Sequence, residues 1–97
     1  MRLIYADFMK MDYSGRLILN THGTFSDLEK YQIDLKPGIQ LVFYNDDEDA
    51  HGNPDNLVVA GVVDYDPENS LWVAEIDWGA IKNISQLSEH ELQKLDL

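Results

Sequence analysis

Asp47, Asp49, His51, Gly52, Asn53 and Asp55 fall at offsets 1, 3, 5, 6, 7 and 9 of one polar stretch. A calcium loop places oxygen ligands at offsets 1, 3, 5 and 9, a backbone carbonyl at 7 and a glycine at 6. Divalent-cation binding by the Asp47–Asp55 loop is therefore one chemistry the sequence offers. It departs from that pattern where the pattern is most demanding. His51 brings nitrogen, which a hard cation accepts poorly, and Val58 stands where a bidentate glutamate belongs. Pro54 further restricts the backbone. The plainer reading is a solvated loop whose charges keep two strand ends soluble.

The second chemistry is long-range electrostatics. The stretch from Pro37 to Ile81 holds ten of the 18 acids and no Lys or Arg, so it carries −10 of a formal net charge of −11. A one-signed surface of this kind speeds association with cationic partners and weakens with salt. The expected partner surface is Asp46, Asp47, Glu48, Asp49, Asp55, Asp64, Asp66 and Glu68, with Tyr44 and Trp78 lining a groove beside it. The function this suggests is a non-enzymatic protein-interaction module that binds a basic protein; an acidic inhibitor or immunity-type protein is a special case. The competing explanation is a charge that serves solubility alone.

Other chemistry finds little support. His22, His51 and His90 are isolated from one another and no cysteine exists, so a zinc site is not expected. Ser14, Ser26, Ser70, Ser85 and Ser88 sit in turns or caps, outside any nucleophile elbow. No glycine-rich phosphate cradle is present, and no nucleophile is paired with a base, so neither an enzyme nor a bound cofactor is expected. The negative charge argues against nucleic acid and anionic membranes. No apolar run approaches a membrane span. Arg2, Asp7 and Lys10 interrupt the first residues, which do not read as a signal sequence. Together with the lack of cysteine, this points to a cytoplasmic protein.

A single domain over residues 1–97 must position these groups. Alternating apolar residues predict strands at Leu3–Asp12 and Arg16–Thr21, joined as a hairpin through Tyr13-Ser14-Gly15. Ser26 and Glu29 are spaced as a capping box, predicting a short helical turn over Asp27–Tyr31 after a break at His22-Gly23. Lys36-Pro37-Gly38 reads as a tight turn. Strands follow at Ile39–Tyr44, Leu57–Tyr65 and Leu71–Trp78, with Asn45–Asn56 as a surface loop and Asp66-Pro67-Glu68-Asn69 as a turn. Gly61 suggests a bulge or sharp bend. Trp72, Ala74, Ile76 and Trp78 share one face, and core is the default for both tryptophans. Ser88 and Glu91 offer a second capping box.

These elements make a mainly β domain, expected as a small five-stranded barrel with short helical turns. The runner-up is an open α+β layer with the C-terminal segment packed on a sheet. The spacing of Leu35-Lys36-Pro37-Gly38, Phe43-Tyr44, Gly61-Val62-Val63 and Trp72-Val73-Ala74 resembles a Src-homology-3-like barrel over roughly Leu28–Trp78. The resemblance implies a fold and nothing about function. The Ala-Leu-Tyr-Asp and Pro-Tyr signatures of peptide-binding members are absent.

Overall fold

A computed structural model describes residues 2–95. The chain runs β1 (Leu3–Tyr5), β2 (Leu17–Ile18), α1 (His22–Lys30), β3 (Gln40–Asn45), β4 (Leu57–Asp66), β5 (Leu71–Ile76), β6 (Lys82–Asn83) and α2 (Glu89–Lys94). The strands form one six-stranded sheet in the order β1-β3-β4-β5-β2, with β6 beside the first residues of β4. Among the described residues, only β1 and β3 run parallel. The domain is mainly β with two short helices, but the sheet is open and the expected closed barrel is not formed. β1 and β2 occupy its opposite edges. The segment between them leaves strand geometry in a turn closed by Lys10 N–H on Asp7 O, and meets β2 only at an isolated Met11–Leu17 bridge. The expected long first hairpin is thus shortened to that bridge.

The centre of the sheet is the β3–β4–β5 meander. Val59 pairs with Phe43, and Val63 with Ala74, placing these side chains on one face. They join Ile4, Ala6, Phe8, Leu17, Leu19 and Leu28 in the main core, with Trp72, Ile76 and Trp78 packed against it. Trp72, Ala74 and Ile76 thus share a face as expected, whereas Trp78 lies beyond the end of β5 in a 3₁₀ turn and reaches the same core from there. Gly61 makes no bulge: it pairs with both Leu41 and Ile76. A Cβ there would meet Ile76 Cγ2 at 2.8 Å, Phe43 Cε2 at 3.0 Å and Glu75 O at 3.1 Å. The glycine is required by close packing rather than by a bend.

β5 and β6 share the same side of β4. Gly61 pairs with Ile76 and Val58 with Lys82; the intervening chain makes a 3₁₀ turn at Trp78–Ala80. Asp66 closes the β4–β5 turn by accepting from Glu68 N and Asn69 N at 3.1 and 3.4 Å, as its position before Pro67 suggested.

The first helix departs from expectation. It begins at His22, not Asp27, and its N-cap is Thr21, whose hydroxyl accepts from Thr24 N at 3.1 Å. Ser26 lies inside it. Gly23 reads as a breaker in isolation, yet it permits the first turn to approach β1: a Cβ on Gly23 would stand 2.8 Å from Tyr5 Cδ1. Tertiary packing overrides local propensity here. α1 then seals the free edge of β1, as Tyr5 N–H donates to Asp27 Oδ2 at 2.9 Å and Tyr5 O accepts from Thr24 Oγ1 at 2.6 Å. An edge strand so covered cannot recruit another chain. α2 opens with the expected Ser88–Glu91 capping box, and Lys82 Nζ meets Glu91 Oε2 at 3.0 Å. Among the described residues, no helix is long and apolar enough to cross a membrane.

Candidate functional site

The loop between β3 and β4 is a narrow continuation of their hairpin. Asp55 N–H donates to Asp47 O at 2.9 Å, Glu48 bridges to Pro54, and Asp49 N–H donates to Asn53 O at 2.9 Å. At the tip, Gly52 takes a φ of 81°, and Asp49 Oδ1 accepts from His51 N and Asn53 N at 2.8 and 2.9 Å. An aspartate that binds the backbone two and four residues on is how a short polar turn is fixed.

The base of the loop is tied to the segment after β6. Asn83 Nδ2 donates to Asp47 Oδ2 at 2.7 Å and to Asp55 O at 2.6 Å. Ser85 donates twice to the Asp55 carboxylate, from N at 3.0 Å and from Oγ at 2.5 Å. The side-chain bond from Asn83 holds Asp47 below its ordinary pKa, and the backbone donors of Asn53 and His51 do the same for Asp49. All these donors are neutral, so they order the loop without cancelling its charge. Among the described residues, no Lys, Arg or His nitrogen lies within 4.0 Å of a carboxylate oxygen of Asp46, Asp47, Glu48, Asp49 or Asp55.

The calcium geometry is not assembled. Asp49 and Asp55 turn both carboxylate oxygens to protein donors, and Asp47 turns Oδ2 to Asn83. Among the described residues, no three His, Cys, Asp or Glu side chains are placed to hold a metal ion.

The other expected acids lie elsewhere. Asp64, Asp66 and Glu68 stand at the far end of β4 and in the turn beyond, so the ten-residue strand separates them from the loop by about 30 Å at ~3.3 Å per residue. Asp64 and Asp66 are also buffered. Arg16 Nη1 lies 3.9 Å from Asp64 and Nη2 3.8 Å from Asp66, while its Nε donates to Asp12 at 2.7 Å. The single unbuffered acidic face expected from the sequence is thus two acidic poles, one of them partly neutralised. The second pole opens a cavity of about 370 Å³ lined by Tyr13, Arg16, Tyr65, Asp66 and Glu68 among others.

Tyr44 and Trp78 do not line one groove. Tyr44 pairs with Val58 and packs edge-on against Tyr5, ring centroids 5.6 Å apart. Burial, then the charges of Asp27 and Asp46, raise its phenol above the ordinary value. Trp78 packs against the core on the other face of the sheet, and its indole N–H donates to Gly15 O at 2.6 Å. His22, His51 and His90 are exposed on α1, the loop tip and α2.

Sequence reasoning missed Asn83 and Ser85, whose carboxylate partners Asp47 and Asp55 lie far away in the chain. It also missed an exposed apolar ridge at Met9, Met11 and Tyr13, although their alternation with Lys10 and Asp12 was visible. No protein-family model, curated protein or solved structure matches this chain.

Proposed function

We propose that the chain is a non-catalytic protein-interaction domain whose β3–β4 loop engages a basic partner protein. The observation that carries this reading is the state of the loop carboxylates: Asp47, Asp49 and Asp55 are held by neutral donors, Asp46, Asp47, Glu48 and Asp49 are exposed, and none of the five has a cationic neighbour within 4.0 Å among the described residues. Charge fixed in place loses less entropy on binding than charge on a mobile tail. Its field also steers a cationic partner toward that end of the molecule. Nucleic acid would be repelled by the same field. An acidic inhibitor of a basic enzyme is one form the function takes, and a cytoplasmic location accords with the cysteine-free sequence. For the fold, the turn spacing over roughly Leu28–Trp78 supports a Src-homology-3-like order of strands and turns within the open sheet.

The test is calorimetric titration with a Lys/Arg-rich peptide and with the same peptide carrying Asp/Glu in place of its cations, across a series of ionic strengths. The cationic peptide binds, its affinity falls as salt rises, and D46N/E48Q weakens it. Equal behaviour of the two peptides, or affinity indifferent to salt, removes the proposal.

A further inference from the structure

Between the two acidic poles the surface changes character. Met9 is 86% exposed, Met11 52% exposed, and Tyr13 fully exposed. Large apolar side chains so exposed and so close in sequence are unusual on a monomer this charged, and such patches mark contact surfaces. The segment that carries them connects the poles. At one end, Ala6 N–H donates to Tyr44 O and Phe8 N–H to Asn45 Oδ1, immediately before Asp46. At the other, Tyr13 shares the walls of the second pole's cavity with Asp66 and Glu68.

The backbone of this segment is also open. The Met11–Leu17 bridge is framed by Ile18 N–H on Lys10 O and by Asp12 N–H on Arg16 O. Those bonds belong to the residues on either side of Met11, so the Met11 N–H and C=O point away from β2. Among the described residues, no hydrogen-bond partner accompanies them. α1 covers the free edge of β1, whereas this edge is uncovered.

We propose that Met9–Tyr13 is a strand-addition site for an extended segment of a basic partner, apolar at its middle and bearing Lys or Arg at its ends. The inference rests on the reading of a basic partner and specifies how that partner is held. Main-chain bonds at Met11 supply register, Met9, Met11 and Tyr13 supply apolar contact, and the flanking acids supply charge. The two flanking poles are both acidic, which fixes where the partner's cations must lie. A second copy of this chain is a poor occupant, because a net charge of −11 on each copy opposes association.

The test uses an extended peptide with paired Lys/Arg at each end and a Val/Leu centre. Its controls are the same peptide with a Ser/Gly centre and the same peptide N-methylated at alternate backbone amides. Each is titrated into the isotope-labelled full chain while amide shifts and hydrogen exchange are followed. The apolar-centred peptide shifts Met9–Tyr13 amides and slows exchange at Met11. Both controls bind at least roughly tenfold more weakly, a difference of about 1.4 kcal/mol. M9S/M11S/Y13S, which changes only exposed side chains and no charge, abolishes the preference for the apolar centre. If the three peptides bind alike in a salt-dependent way and shift only Asp46–Asp55 amides, strand addition is overturned while the acidic-loop reading stands. If none binds at low ionic strength, both fall.

Discussion

Thr24 and Tyr5 meet across the joint between helix and sheet: the buried Thr24 hydroxyl donates to the Tyr5 carbonyl at 2.6 Å. Nineteen residues separate them. Thr24 is completely shielded from water (0% exposed) and is the one buried polar residue among those described. Its hydroxyl also lies 2.7 Å from that of Thr21, the helix cap. One side chain thus braces the helix cap, docks the helix and satisfies the Tyr5 carbonyl at the edge of β1.

Thr24→Val keeps the shape and deletes the donor. A buried carbonyl that loses its partner costs about 1–3 kcal/mol. The expected result is a lower urea midpoint with an unchanged slope. Thr24→Ser, which keeps the hydroxyl and loses one methyl, costs about 0.8 kcal/mol. A Val variant as stable as the parent would show that the edge is not held by this bond.

Gly61→Ala tests the packing of the central strand. The new methyl meets a buried ring, a side chain and the Glu75 carbonyl at distances real Cβ atoms rarely tolerate. Overpacking of this kind costs about 1–3 kcal/mol. Thermal unfolding measures it, and unchanged stability would mean that β4 and β5 shift apart freely.

What was legible in the sequence is what local rules decide. The β4–β5 hairpin was visible because Asp66-Pro67 fixes the turn and the flanking runs alternate. The Ser88–Glu91 box correctly opened α2. The start of α1 was misplaced because Gly23 reads as a breaker until Tyr5 is known to lie against it. The acidic surface was misjudged for a related reason. Arg16 reaches Asp64 and Asp66, and Asn83 reaches Asp47, only through strand pairing. Charge counted along the chain cannot show which acids share an end of a sheet. Met9, Met11 and Tyr13 alternate in the sequence as a strand face does, but Met9 and Tyr13 fall in turns and only Met11 pairs, so their exposure followed from where the strand broke.

Tyr44 reports on the charge of the first pole. Burial is the main cause of its raised pKa, and the charges of Asp27 and Asp46 add to it. Its folded pKa therefore exceeds its unfolded value of about 10. The neutral phenol contributes stability that is complete below the unfolded pKa and is lost as pH rises through the folded one. Asp46→Asn removes one of those charges and moves the phenol back toward its ordinary value. Phenolate absorbance against pH reads the shift; an unmoved titration would place Asp46 outside the field that Tyr44 senses.

Asn83→Ala separates order from charge at the loop. The substitution removes the donor to Asp47 Oδ2 and to Asp55 O while leaving every carboxylate in place. Asp47, freed of the bond that depresses it most, moves back toward the ordinary carboxylate value. The sign follows from that direction. A depressed carboxylate contributes stability that is present above its unfolded pKa and fades as pH falls through its folded one. In the parent, the Asp47 tie to Asn83 persists into acid and then fails; in the variant that acid-dependent step disappears. Carboxyl titration by NMR follows both. Binding of the cationic peptide then distinguishes two origins of affinity. If the field alone matters, N83A binds as the parent does, with the same salt dependence. If ordering of the loop matters, the salt dependence is kept, dissociation quickens, and exchange at the Asp49, His51 and Asn53 amides rises with it.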